Sequence, residues 1–145
     1  MSITNLFLQK KKQIEYIFEK SGYKEGTKQY NDTLAIKRKT HLNVAQGYIK
    51  LRKFDKAIDS CDFVLKEDST HEKALYRKAV AFQGQTSYAK SIEVLKELLE
   101  AHPGNKAATQ LLIEVTHADA KLATKKNFYD HFRVRNAMRF KFLDY

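Results

Sequence analysis

An all-α protein made of stacked antiparallel helix pairs is what this sequence predicts, on three observations. The middle of the chain repeats itself at a spacing of 34 residues, apolar residues recur at helical intervals, and chain breakers are scarce, with one proline (Pro103) and five glycines in 145 residues. So few breakers over that length leave room for helices joined by tight turns. The length favours one domain with an ample core.

Displaced by 34 residues, Ala45 falls on Ala79, Tyr48 on Phe82, Ala57 on Ser91, Cys61 on Leu95, Val64 on Leu98 and Ser69 on Pro103. Small residues recur where two antiparallel helices must touch, and bulky ones where the next pair must be filled. One helix pair cannot bury its apolar face alone, so such units stack. A helix-pair period of this length is that of tetratricopeptide repeats. The predicted fold is an all-α tetratricopeptide-repeat helical superhelix with three helix pairs and a long C-terminal capping helix.

The second repeat, about 38–71, opens with a helix over Thr40–Leu51, where Leu42, Ala45, Tyr48 and Ile49 keep helical spacing. Arg52-Lys53-Phe54 makes a turn, and Asp55 is the expected N-cap of a helix over Lys56–Lys66. The third repeat, about 72–105, has helices over His71–Gln83 and Tyr88–Ala101, a turn at Gly84–Ser87, and closes at Pro103-Gly104. The first repeat, about 7–37, is atypical and short. With Phe18 and Tyr23 on the large positions and Ile14, Gly26 and Tyr30 on the packing positions, it has 31 residues. The favoured explanation is a brief turn at Asn31-Asp32-Thr33, ahead of a helix starting at Leu34. The alternative is one continuous helix from Lys24 to Leu51, which would leave a face unpaired and invite exchange between chains. After Gly104 no proline or glycine occurs, so a helix over about 106–141 is expected, roughly 55 Å long at ~1.5 Å per residue. Ala107, Ala108, Leu111, Leu112 and Val115 should cap the stack, while Phe128, Phe132, Met138 and Phe142 project beyond it.

The formal charge is +10, unevenly spread: residues 1–53 carry 12 Lys/Arg against 4 Asp/Glu, residues 54–120 carry 8 against 11, and residues 121–145 carry 7 against 2. An acidic middle argues against the connected basic stripe of a nucleic-acid binder. No apolar run is long enough for a membrane span, and the first ten residues lack the order of a secretory signal. The single cysteine, Cys61, occupies a packing position and fits a reducing compartment, the cytoplasm by default with the nucleus as the alternative. The five histidines show no metal-ligand spacing. Gly104-Asn105-Lys106 lacks the preceding glycine of a phosphate loop, and no nucleophile-elbow or zinc-protease pattern occurs. Neither an enzyme nor a cofactor is indicated.

Chemistry concentrates instead on one helical face. Lys73 and Arg77 are four residues apart and therefore share a face, and Asn43 precedes Arg77 by one period, which stacks it on the same surface. Two cations and an amide in a groove suit a terminal α-carboxylate and an aspartate side chain, with Arg binding bidentately and Lys as a compact charge. Gln46 and Lys50 are further candidates for lining that groove, whereas Tyr48 and Phe82 read as core. A second candidate is the basic, apolar-interleaved segment Lys121–Lys141, with Phe128, Phe132, Val134, Met138 and Phe140. Such segments are read as calmodulin-like targets or surface contacts, against the plainer reading of a solvated extension of the cap.

The stretch His41-Leu42-Asn43-Val44-Ala45-Gln46-Gly47-Tyr48-Ile49-Lys50-Leu51 resembles the second-repeat helix of the large tacrolimus-binding (FKBP-type) immunophilins. Glu72-Lys73-Ala74-Leu75-Tyr76-Arg77-Lys78 resembles their third-repeat helix. Asn105-Lys106-Ala107-Ala108 and Lys125-Lys126-Asn127-Phe128-Tyr129-Asp130-His131-Phe132 resemble their last helices. The resemblance implies three repeats plus a cap, with a carboxylate clamp for the Met-Glu-Glu-Val-Asp tail of heat-shock protein 90, or the related tail of heat-shock protein 70. Carried over, the clamp falls on Lys73, Arg77, Asn43 and Lys11 (Lys10 and Lys12 being neighbouring registers). The fifth position, commonly Asn, falls on Glu15. An acid there repels a carboxylate unless it pairs with Lys11, four residues away. A calmodulin-binding role is also implied for the last helix. In that family a prolyl-isomerase domain precedes the repeats. None is recognisable here, which points to the non-catalytic part of a larger isomerase or to a repeat-only relative.

Overall fold

The computed structural model describes residues 2–141, and the side chains of all of these except Ile3, Thr4, Val134 and 136–141. Six helices follow one another: α1 (Ile3–Lys20), α2 (Lys28–Lys50), α3 (Phe54–Glu67), α4 (Glu72–Gly84), α5 (Tyr88–Ala101) and α6 (Lys106–Lys141). Each packs against its successor, and α2 also touches α4. This is the helix-pair superhelix that the period predicts.

The repeat is visible in three dimensions position by position. Ala45 and Ala79, Ala57 and Ser91, Cys61 and Leu95, and Val64 and Leu98 are all fully buried. Each of the two Leu side chains contributes roughly 1.5–3 kcal/mol by leaving water. Where the second repeat has Ala57 the third has Ser91, whose hydroxyl donates to the Ala79 carbonyl at 2.8 Å. Even the edge contacts recur: Lys56 lies over the Tyr48 ring at 6.0 Å and Lys90 over the Phe82 ring at 5.7 Å. The turns superimpose as well. Arg52 and Thr86 both take left-handed backbone, at φ 57° and 59°. Lys53 N–H then donates to Tyr48 O and Ser87 N–H to Phe82 O, each at 2.9 Å, closing the ends of α2 and α4 in the same way.

One expectation is corrected. No turn forms at Asn31-Asp32-Thr33; α2 runs unbroken from Lys28 to Lys50, 23 residues, so six helices replace seven. The break falls earlier, where Gly22 and Gly26 adopt positive φ and the Thr27 hydroxyl caps α2 by accepting from Tyr30 N–H. A smaller correction concerns α3. Asp55 lies in its first turn and is not its N-cap; that place belongs to Lys53, without a side-chain cap, and the Asp55 carboxylate accepts from Gln85.

The direction of α1 follows from its contacts. Phe18 meets Tyr30 with ring centroids 5.3 Å apart, Glu15 lies 3.5 Å from His41, and Lys11 borders a hollow with Tyr48. Residue numbers fall along α1 as they rise along α2, so the two are antiparallel where Lys11–Phe18 meets α2. At the other end, Ala108, Leu111 and Val115 of α6 bury against Leu95 and Leu98 and cap the stack. From residue 120 to 133 α6 is exposed on every side, with Phe128 68% and Phe132 50% accessible. The Val134, Met138 and Phe140 side chains and Phe142 lie outside the described residues.

Candidate functional site

The helices place the predicted residues in two separate groups. On one side, Gln46 of α2 and Glu72, Lys73, Tyr76 and Arg77 of α4 border a hollow of about 330 Å³, closed by Asn105 and Ala107 at the start of α6. Lys73 and Arg77 reach it together because they are one helical turn apart. Arg77 is half-buried, and one guanidinium N–H donates to the Leu42 carbonyl at 2.6 Å. That bond fixes the side chain and leaves further N–H groups of the fork for a ligand. Burial pushes the Arg77 pKa down from its ordinary value, yet guanidinium remains charged at any physiological pH. The one acid of the hollow, Glu72, accepts from Asn105 Nδ2 at 2.8 Å. Lys73 forms no ion pair among the described residues.

On the other side lie Lys11 and Glu15. They pair with each other at 3.7 Å, as their spacing suggests, and Glu15 also faces His41 at 3.5 Å. Lys11 borders a hollow of about 140 Å³ with His41, Tyr48, Lys56, Asp59 and Ser60. At about 100° per residue, His41 points about 140° away from Gln46 around α2. Lys11 and Glu15 are therefore not brought to the Lys73–Arg77 hollow. α1 packs instead along the His41 side of α2. Asn43 is half-buried and sits about 60° round from Gln46; it borders neither hollow, and Lys50 is exposed at the end of α2.

Sequence reasoning missed Tyr76 and Asn105 at the hollow. Tyr76 carries a signal, since it follows Lys73 by three positions on the same face. Asn105 carries another, as the N-cap that accepts from Ala108 N–H at 2.8 Å, which holds its amide against α4. Burial pushes the Cys61 thiol up to about 12, that of an inert core residue. Among the described residues no group of three or more His, Cys, Asp or Glu side chains could hold a metal ion, and no helix is long and apolar enough to cross a membrane.

No protein-family model matches the chain. Human peptidyl-prolyl cis-trans isomerase FKBP4 is 32% identical over 123 residues, 84% of this chain but 26% of that protein, so the chain spans about a quarter of its relative. The matched stretch is FKBP4's repeat-containing region and not its isomerase domain. Among solved structures, the first TPR of Spaghetti (RPAP3) bound to HSP90 peptide SRMEEVD superimposes with a TM-score of 0.56 at 23% identity, covering 79% of this chain and 93% of that one. The second TPR domain of human RPAP3 in complex with HSP70 peptide SGPTIEEVD gives 0.53 at 20% identity, covering 78% and 98%. Sequence kinship over the repeats and a shared helix-pair architecture make this chain a tetratricopeptide-repeat domain of the FKBP-immunophilin type.

Proposed function

We propose that this domain is an adaptor that grips an acidic peptide carboxy-terminus of the Glu-Glu-Val-Asp type, as carried by heat-shock protein 90 or 70, in the manner of a co-chaperone. The observation that carries the reading is the hollow itself. Lys73 and Arg77 converge there with the Gln46 amide, while the only local carboxylate, Glu72, is engaged by Asn105. A terminal α-carboxylate and an aspartate side chain match two cations of which one is a half-buried guanidinium. The similarity to FKBP4 and to two peptide-bound repeat domains supports the same reading. The Lys11–Glu15 pair stands apart from this grip, which rests on the α4 cations. A reducing compartment, the cytoplasm or nucleus, fits the lone buried Cys61.

Titrating a free-acid Glu-Glu-Val-Asp peptide and its amidated form tests the proposal. Hydrogen bonds to charged groups contribute about 1.5–3 kcal/mol each. Lys73→Glu and Arg77→Ala should each weaken free-acid binding roughly tenfold to a hundredfold, and amidation should do the same to wild type. Unchanged affinity in both variants removes the site.

A second reading rests on α6, where Leu122, Phe128, Tyr129 and Phe132 are exposed among Lys121, Lys125, Lys126 and Arg133. This is the composition of a calmodulin target or scaffold helix. Calcium-dependent calmodulin binding that survives deletion of residues 121–145 ends that reading.

A further inference from the structure

The Lys73–Arg77 hollow does not stop at Lys73. A second, larger hollow of about 630 Å³ begins on the other side of the same residue and shares Glu72 and Lys73 with the first. Its far wall is α2, through Ala35, Arg38, Lys39 and Leu42, and its near wall is the start of α4. The continuous α2 carries these four residues alongside the start of α4. Two carboxylates also line it, each held by neutral donors and still charged, so the three cations Arg38, Lys39 and Lys73 outnumber them by one. Asp68 accepts from the backbone N–H and hydroxyl of Thr70 at 3.3 and 3.2 Å, and Glu72 accepts from Asn105. Arg38 and Lys39 have no ion-pair partner among the described residues, whose ion pairs involve Lys11, His41 and Lys78. Cations without ion-pair partners therefore continue along the trough from Lys73, while Lys11 borders the separate His41 hollow.

We infer that Arg38 and Lys39 form a second anion subsite, which holds side-chain carboxylates of an acidic peptide upstream of its terminal residue. The inference rests on the Lys73–Arg77 reading and extends it: the terminal carboxylate sits between Lys73 and Arg77, and the preceding glutamates lie over α2. Cations at the middle of α2 then do for this chain what a first-repeat lysine on α1 is not positioned to do. The partner is a peptide with several acids and a free carboxy-terminus, and a terminal carboxylate alone would engage only half of the trough.

The test uses the full chain and two free-acid heptapeptides, one ending Glu-Glu-Val-Asp and one ending Gln-Gln-Val-Asp, titrated by calorimetry. Wild type should prefer the glutamate peptide by tenfold or more. In Arg38→Ala/Lys39→Ala that preference should fall below twofold, while affinity for the glutamine peptide stays within twofold of wild type, which also shows that the variant is folded. A Lys96→Glu/Lys125→Glu variant, which lowers net charge away from the trough, should retain the preference. Absence of a preference in wild type, its persistence in the Arg38/Lys39 variant, or its equal loss in the Lys96/Lys125 variant each overturns the subsite. If Lys73→Glu leaves binding of both peptides untouched, the underlying terminal-carboxylate reading fails and the subsite with it. If Lys73→Glu abolishes binding while the Arg38/Lys39 variant matches wild type on both peptides, only the subsite fails.

Discussion

Acidification should destabilise this domain through His41, starting below pH 6.5 and so above the range in which ordinary carboxylates protonate. The imidazole is 4% exposed and stacked on Phe63 with centroids 3.9 Å apart. Neither ring nitrogen has a hydrogen-bond partner among the described residues. Burial, then the charges of Lys11 and Lys37, pushes its pKa from 6.5 down to about 4. Glu15 opposes this from 3.5 Å, at the edge of contact, with its charge shared by Lys11. Because the folded state holds the ring neutral while the unfolded chain protonates first, stability is fully present above pH 6.5. It is lost as pH falls from there toward 4. With about 1.36 kcal/mol per unit of difference, the whole effect is about 3 kcal/mol, and about 2 kcal/mol of it is lost between pH 7 and pH 5. For a domain of this size that lowers the Tm by roughly 5–8 °C. Thermal and urea unfolding of wild type and His41→Leu at both pH values measures it, and the variant should lose markedly less. Parallel pH dependence in the two proteins, or an NMR titration of His41 with its midpoint near 6.5, refutes the reasoning.

Three other perturbations have defined outcomes. A Cβ on Gly84 would run into the Phe54 ring, so Gly84→Ala should cost about 1 kcal/mol despite alanine's better helix propensity, and Phe54→Leu in the same chain should recover part of it in a denaturation cycle. Thr86 is β-branched in left-handed backbone, so Thr86→Gly should stabilise by about 1 kcal/mol, read as a higher urea midpoint. With its thiol pushed up to about 12, Cys61 should react with an aromatic disulfide reagent at pH 8 only at the rate of unfolding; labelling at the speed of a free thiol contradicts its burial.

How much of this was written in the residues differs along the chain. From residue 40 to 108 small, large and turn positions recur in step, and the structure returns the same burial and the same backbone twice over. The first 37 residues are different. Asn31, Asp32 and Thr33 are poor helix formers, but each costs only a few tenths of a kcal/mol in a helix interior. Thr33 also satisfies its hydroxyl within the helix by donating to Gln29 O at 2.8 Å. Continuing α2 keeps the backbone hydrogen bonds that a turn would break, and Gly22 and Gly26 already supply the reversal. The site was legible to the same degree. Lys73 and Arg77 share one helix, so spacing alone joined them. The location of Lys11 depended on how α1 packs, and Arg38 and Lys39 matter only once α2 is known to lie along the start of α4. Neither follows from local pattern.

The unbroken α2 also sets how the domain comes apart. Extensive packing of α1 is with α2 alone, and Tyr16 and Ile17 on its outer side are exposed. The N-terminal arm is thus tethered by one neighbour, whereas α3, α4 and α5 are each clasped from both sides. Amide exchange should accordingly be graded, fast in α1 and slowest in α4 and α5. A released arm would bare the His41 side of α2 and free Lys37 from the Phe18 ring, next to Arg38 of the trough, so opening of the arm and ligand capture meet on the same helix.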